Sequence, residues 1–409
     1  MEILKNNDIA KAVIFVLSVS CLASCNKELP QATPIIYPPA NNSTTTIGAA
    51  ISADTSLSFF KTAAEAAGVM PLLNDTNSLL TVFVPDNDAF RLSGIPDASV
   101  ISSLPASVLV PLVQYHIIPG EQFTAANFLP PSPNPNVQLP SDLTVGTLPG
   151  TPVNFNLTTF PSSTSGGAWD NNIPITQTDL KYSNGIIHKV AALVQPPSQT
   201  LKQAIYSNPD LTYFKAAIAR GDSGQTGLNR IDSLLGYAVT NMTVLAPDNA
   251  AFQTILFGSI YAGLVAEGVD PSTASAEAQA LSSSPDVFSN PLLFGILTAA
   301  DVQGIVVYHL LATNQGQGFQ PNIRVFSVNF PTPPTFYTTL VNSVYPTHPG
   351  VLAQATFAGP FVAKLQFTGF GSFPPSGTPY SGPAANVVSM DNHCVNGVYD
   401  VIDQVLLPQ

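Results

Sequence analysis

The chain has 409 residues, 45% hydrophobic and only 9% charged, with 25 acidic side chains against 13 basic ones for a net charge of −12. That length holds two or three domains, each able to bury a core. The apolar fraction excludes a disordered chain, and the sparse charge excludes a long solvated coiled coil. With 38 prolines a helix bundle is a poor fit, and scattered Lys and Arg in an acidic chain give no electrostatic footprint for nucleic acid or an anionic membrane surface.

Residues 1–24 read as an export signal. Lys5 and Lys11 precede the apolar run Ala12 to Ser20 (AVIFVLSVS), which is shorter than the roughly 20 residues a membrane span needs. Leu22-Ala23-Ser24-Cys25 resembles the box of bacterial lipoprotein signal peptides, cut just before the cysteine; an ordinary signal peptide cut after a small residue is the alternative. The resemblance implies diacylglycerol on the Cys25 thiol and an acylated amino terminus, several chains anchoring stably where one holds marginally. The stretch up to Thr46 mixes proline with small polar residues, so residues 25–46 read as a lipidated tether. Cys21 would leave with the signal and Cys25 would carry lipid, so Cys394 stands alone and a disulfide within the mature chain is excluded. No other segment reads as a membrane span.

Next comes an amphipathic helix with Leu57, Phe60, Ala64 and Ala67 on one face, ended by Gly68 and Pro71. Thr81 to Val84 is β-branched or aromatic and predicts a strand that Pro85 stops; Asp86 then caps a helix, Asp88 suits its dipole, and Phe90 returns to the core. Tyr115-His116 closes the apolar stretch Val108 to Gln114. Pro130 to Pro135 and Ser162 to Gly167 read as surface elaboration, the second flexible. Asn184-Gly185 lies between β-rich runs and predicts a tight hairpin.

The same devices then return. Asn208-Pro209 opens a helix with Leu211, Phe214 and Ile218 on its face before Gly221; Thr243 to Phe252 (TVLAPDNAAF) echoes Thr81 to Phe90 (TVFVPDNDAF), with Asp248 as the cap. Asp270 to Asp286 is an Ala/Ser-rich insertion with one weak helix. Tyr308-His309 follows Ile305 to Val307, and Asn396-Gly397 joins Val387-Val388 to Val398–Leu407. The offsets are 162 between the two threonines, 193 between the Tyr-His pairs and 212 between the Asn-Gly pairs. Order is kept while spacing grows, so the chain is a duplicated unit whose second copy carries insertions. The copies are expected at 47–196 and 197–409.

These landmarks resemble the fasciclin (FAS1) domain family: TVFVPDNDAF and TVLAPDNAAF its first signature, SNGIIHKVAALVQPP (183–197) and VNGVYDVIDQVLLP (395–408) its closing segment, the Tyr-His pairs the motif between. The resemblance implies an α+β fold of two tandem domains, each a β-sandwich-like wedge with several short helices packed around it. It also implies adhesion or matrix contact rather than catalysis. Where the family's closing segment usually has histidine, His188 keeps it but the second copy has Asp400. The family's later aspartate survives as Asp403 and is replaced by Ala191 in the first copy.

The candidate binding or structural motif is therefore Tyr115-His116 and Tyr308-His309. Either each pair belongs to a recognition surface, or each imidazole is half-buried and hydrogen-bonds the backbone to lock a helix-to-strand junction. His393-Cys394 lacks further ligands for zinc and a partner for nucleophilic attack, and reads as a buried thiol beside a turn histidine. No nucleophile elbow, phosphate-cradling loop, zinc-protease motif or calcium loop is present. The expectation is no catalytic residue, no metal and no cofactor. Its partners would be an unknown protein or carbohydrate ligand and the lipid bilayer through acylated Cys25, on a bacterial outer membrane. Surface glycan capture for nutrient uptake is the alternative, using aromatics of Pro331 to Tyr337 and Phe370 to Tyr380; those same aromatics could instead cover sheet edges.

Overall fold

The structure, a computed structural model, describes residues 43–129, 134–147, 154–164, 166–314, 316, 318–369 and 384–408. The signal, Cys25, most of the tether, most of Pro130 to Pro135 and the Phe370 to Tyr380 stretch lie outside the described residues. Two compact units meet in sequence between Pro197 and Ser198.

In the first unit, α1 (Ile47–Ala53) starts where the Thr46 side chain accepts from the Ala49 N–H. Helix α2 (Ser58–Ala66) buries Phe59, Phe60, Ala63 and Ala64, the face a 3.6-residue period dictates. Gly68 takes a left-handed φ of +73°, and the Val69 N–H returns to the Ala64 carbonyl at 3.1 Å, closing the helix. Pro71 ends nothing. It sits in the first turn of α3 (Met70–Asn74), where its missing N–H would be unpaired anyway. Strand β1 (Leu80–Pro85) is buried throughout. It is followed by α4 (Asn87–Leu92), α5 (Ala98–Ser103), α6 (Ala106–Tyr115) and β2 (Ile117–Pro119). Then come β3 (Leu139–Thr147), β4 (Asn154–Thr159), β5 (Pro161–Thr164), β6 (Gly167–Asp170), β7 (Ile173–Tyr182) and β8 (Gly185–Val190). Six strands form one sheet in the order β2-β1-β8-β7-β6-β5, with β1 and β8 parallel; β3 and β4 pair separately.

The second unit contains α7 (Leu201–Ser207), α8 (Thr212–Gly221), α9 (Ile231–Gly236), β9 (Met242–Pro247), α10 (Asn249–Ala266), α11 (Pro271–Ser282) and α12 (Ala299–Tyr308). The short pair β10 (Thr313–Asn314) and β11 (Phe319–Gln320) precedes β12 (Thr335–Tyr337), β13 (Val351–Ala358), β14 (Phe361–Thr368), β15 (Ala385–Cys394) and β16 (Gly397–Ile402). Its main sheet runs β9-β16-β15-β14-β13-β12, and β9 and β16 are again parallel. A lone bridge from Val244 to Leu310 stands where β2 stands in the first unit. The fold is α+β twice over: in each sheet a parallel pair that only a long crossover can connect adjoins antiparallel strands.

Several expectations change. Ser162 to Thr164 and Gly167 belong to a strand pair rather than a flexible elaboration: Ser162 lies opposite buried Trp169 in the β5–β6 ladder. Gly221 is the last residue of α8, and a Cβ there would lie 3.0 Å from the Gln303 Cα, so glycine also lets α8 and α12 approach. The inserted sequence in the second unit does more than add α11. It follows α10, which runs 18 residues without a charge where its counterpart α4 runs six. By length and composition α10 could cross a membrane, contrary to the reading that no further segment qualifies. It is instead capped by Asp248 and packs Phe252, Leu256 and Ile260 into the unit's core.

Candidate functional site

At each strand-to-helix corner the aspartate is a cap: Asp86 Oδ1 accepts from the Ala89 N–H at 2.8 Å and Asp248 Oδ1 from the Ala251 N–H at 2.7 Å. The next residue ties the corner to the preceding helix. Asn87 Oδ1 accepts from the Phe59 N–H at 3.0 Å and its Nδ2 donates to the Thr55 carbonyl at 3.1 Å. Asn249 does the same with the Tyr213 N–H at 3.1 Å and the Pro209 carbonyl at 2.9 Å.

The Tyr-His pairs are interior, not half-buried: His116 is 1% exposed and His309 0%. His116 Nδ1–H donates to the Leu112 carbonyl at 2.8 Å, one turn back on α6, while Nε2 accepts from the Val194 N–H at 3.1 Å. His309 repeats this with the Ile305 carbonyl at 2.8 Å and the Leu406 N–H at 2.9 Å. The two roles require a neutral ring. Burial enforces it, pulling both imidazoles down to about 4. Tyr115 donates to the Thr158 carbonyl at 2.9 Å and Tyr308 to the Gly350 carbonyl at 2.7 Å. Each histidine thus pins a helix end to the closing segment of its own unit, each tyrosine ties the same helix to a strand or loop before that segment, and neither pair presents a ring to solvent.

The Asn-Gly pairs work differently from a hairpin turn of Asn then Gly. The two turn residues are Ser183-Asn184 and Val395-Asn396, and each glycine opens the following strand opposite Tyr182 or Cys394. A Cβ on Gly185 would lie 2.2 Å from the Leu80 carbonyl oxygen, and one on Gly397 would lie 2.4 Å from that of Met242. Glycine is therefore demanded by the parallel strand alongside. Asn184 Oδ1 accepts from the Ile47 N–H at 2.8 Å and its Nδ2 donates to the Leu73 and Asp75 carbonyls at 3.0 Å. Asn396 holds the Leu201 N–H at 2.8 Å and the Leu235 and Tyr237 carbonyls at 3.0 Å.

Two further residues of this set were not singled out in the sequence. Asp179 and Asp391 sit at β-bulges with φ of +60° and +58°. Asp179 Oδ1 accepts from the Ala125 N–H at 2.8 Å and Asp391 Oδ1 from the Ser327 N–H at 2.7 Å. Their separation is 212 residues, the same as that of the Asn-Gly pairs, a signal the sequence carried. Thr81 and Thr243 are a matched pair as well: each accepts a backbone N–H, of Phe123 at 2.8 Å and of Val325 at 2.9 Å.

The departures between the copies have structural consequences. Asp403 clamps Asn386 of β15 through two hydrogen bonds at 2.7 and 2.8 Å, whereas Ala191 keeps only its backbone link to the Pro174 carbonyl at 2.9 Å. His188 stacks on Phe83 and meets Phe128 at a tilt, with Nε2–H donating to the Phe123 carbonyl at 2.9 Å and Nδ1 facing the Asp179 N–H at 3.3 Å. Asp400 occupies the equivalent position, wholly buried.

His393 and Cys394 form no reactive pair. Arg324, 3% exposed and likewise missed in the sequence, extends Nη1 to His393 Nε2 at 2.8 Å and Nε to Asn241 at 2.7 Å. Burial first, and that guanidinium second, hold His393 well below the ordinary range of a histidine. Burial pushes the Cys394 thiol up to about 12, so it is no nucleophile near neutral pH. Among the described residues no group of three or more His, Cys, Asp or Glu side chains is placed to hold a metal ion. Of the loop aromatics, Tyr337 packs edge-on over Phe330 at 5.0 Å, whereas its neighbour Phe336 is 47% exposed.

Geometry alone thus defines a duplicated α+β scaffold whose shared polar residues are spent on its own backbone. A family model for the fasciclin domain matches residues 55–196. The chain is 46% identical over 37 residues to a fasciclin-like arabinogalactan protein of Jatropha curcas, covering 9% of this chain and 72% of that one. It is 27% identical over 186 residues to Protein sll1483 of Synechocystis sp., covering 45% of this chain and 91% of that protein. A solved FAS1 domain pair from the insect cell adhesion molecule Fasciclin I aligns at 15% identity over 86% of this chain and 96% of that one, with a TM-score of 0.32. The chain belongs to the fasciclin domain family.

Proposed function

We propose that this protein is a lipid-anchored binding protein of a bacterial outer membrane, acting in adhesion or matrix contact and not as an enzyme. Fasciclin domains are associated with adhesion and extracellular binding in general. The observation that carries the reading is the fate of the shared motif. Tyr-His pairs and turn asparagines in both domains are buried, and they and the half-buried aspartate caps are hydrogen-bonded to backbone. Groups engaged in this way build a scaffold, and contact with a partner falls to the surface, where the copies differ. On either side of the second domain's insertion apolar side chains are exposed there, Leu292 at 89% and Val265 at 38%. The Leu22 to Cys25 box supports the anchor.

The test is attachment of intact cells to matrix-coated surfaces with and without the gene, paired with fatty-acid labelling of wild type and Cys25→Ser. Attachment and labelling that both depend on Cys25 are expected. Unchanged attachment, together with turnover of ester or glycosidic substrates by purified residues 47–409, overturns the reading. Protease accessibility on intact cells reports the surface orientation that adhesion requires. Glycan capture is the second reading, favoured by exposed Phe336 beside a proline-rich turn. Selective binding on a glycan array that Phe336→Ala abolishes would select it.

A further inference from the structure

The two domains hold one equivalent segment by different chemistry. In the first, the chain after β2 passes Phe123, whose N–H is fixed by Thr81, and enters a single helical turn, Ala125–Phe128. His188 grips this strap directly through the Phe123 carbonyl at 2.9 Å, and Asp179 caps its turn. In the second domain the strap passes Val325, fixed by Thr243, into the turn Ser327–Asn329. Asp391 holds that turn with both oxygens, accepting from the Ser327 N–H at 2.7 Å and from its hydroxyl at 2.5 Å. The central strand contributes Asp400 in place of the histidine. Its Oδ1 accepts from the Asp391 N–H at 2.7 Å, and its Oδ2 is buried with no hydrogen-bond partner.

We propose that Asp400 makes the second strap proton-locked: closed while Asp400 carries a proton, and loosened when that proton leaves and its buried carboxylate faces that of Asp391. The surroundings leave little else to compensate the charge. Leu245 pairs with Asp400 from β9, Ser327 comes from the strap, and among the described residues the charge acting on Asp400 is that of Asp391 on β15. Arg324 points to Asn241, His393 and the Cys394 and Val395 carbonyls. Burial, reinforced by Asp391, raises the Asp400 carboxyl well above the ordinary range, so it is protonated in the closed state where an exposed aspartate is ionised. The sign follows. Opening the strap releases a proton, so opening becomes easier as pH rises from about 4 toward the folded-state value, about tenfold per pH unit. The first strap has the reverse sign: burial lowers His188, partly opposed by its bond to Phe123 and by Asp179, so closure there strengthens as pH rises through the histidine range.

The test is hydrogen exchange by mass spectrometry on the full chain in detergent between pH 5 and 8, corrected for intrinsic exchange. Peptides covering 323–330 and 121–128 are followed in wild type, Asp400→Asn and Asp400→His. Asparagine keeps the acceptor for the Asp391 N–H and cannot ionise, while histidine imports the first domain's solution. Wild-type protection over 323–330 should fall with rising pH, by up to about tenfold per pH unit below the folded-state value of Asp400, while that over 121–128 does not fall. Either variant should flatten the fall. A flat wild-type profile over 323–330, or a fall that persists in either folded variant, overturns the proposal.

Discussion

Replacing His309 with alanine separates a locking role from a recognition role. The substitution deletes a bond to the Ile305 carbonyl and one from the Leu406 N–H, and leaves that N–H without its acceptor beside a residue 3% exposed. Each lost hydrogen bond is worth about 1 kcal/mol net, and a stranded buried donor about 1–3 kcal/mol. The hole left by the ring, which packs edge-on against Phe214 at 6.3 Å, adds a cavity cost. These overlap rather than add, and about 3–4 kcal/mol is expected. For a unit of about 200 residues that lowers one melting transition by roughly 6–16 °C. Calorimetry should show the second domain's transition shifted and the first domain's in place, with His116→Ala giving the converse. The deficit should also depend on pH. His309 is lowered to about 4 in the folded state, so its stabilising presence as a neutral ring is complete above about 6.5 and lost as pH falls toward 4. The penalty of His309→Ala should therefore shrink by about 3 kcal/mol over that interval. An unmoved transition accompanied by loss of cell attachment would refute the reasoning and return the Tyr-His pair to the surface.

Gly397→Ala sets a Cβ 2.4 Å from the Met242 carbonyl oxygen and 2.5 Å from Leu201 Cδ1, atoms of a packed strand and helix that cannot both yield. A loss of more than about 4 kcal/mol is expected, read as proteolysis of the second domain with the first intact; Gly258→Ala, with open space around it in the interior of α10, should gain about 0.5–1 kcal/mol instead. Asp170, wholly buried, accepts from the Thr159 hydroxyl with one oxygen and leaves the other unpartnered; burial raises it to about 7. Its folded-state value lies above its unfolded one, so stability is lost as pH rises from about 4 to 7. Asp170→Asn should stabilise the first domain at pH 8 by about 2–4 kcal/mol in urea unfolding and leave it unchanged at pH 4.

The sequence by itself determined the duplication, the corner caps and the helix faces, because these rest on local rules. Asp86 and Asp248 cap because a carboxylate three residues before a free N–H has little else to do. Phe60 and Phe214 face inward because helix period and apolarity coincide. What only tertiary structure decided is where distant segments meet. Gly185 and Gly397 read locally as turn glycines, yet their constraint comes from a parallel strand about a hundred residues or more away in the chain. Half-burial of the histidines understated their environment because the closing segments that cover them, at Val194 and Leu406, arrive from 78 and 97 residues downstream. Asp391 and Asp400 fall at positions the repeat marks and Arg324 at none, but no local pattern states what any of the three does. Their meaning lies in a dielectric and a set of neighbours that exist only once the strands have closed around them.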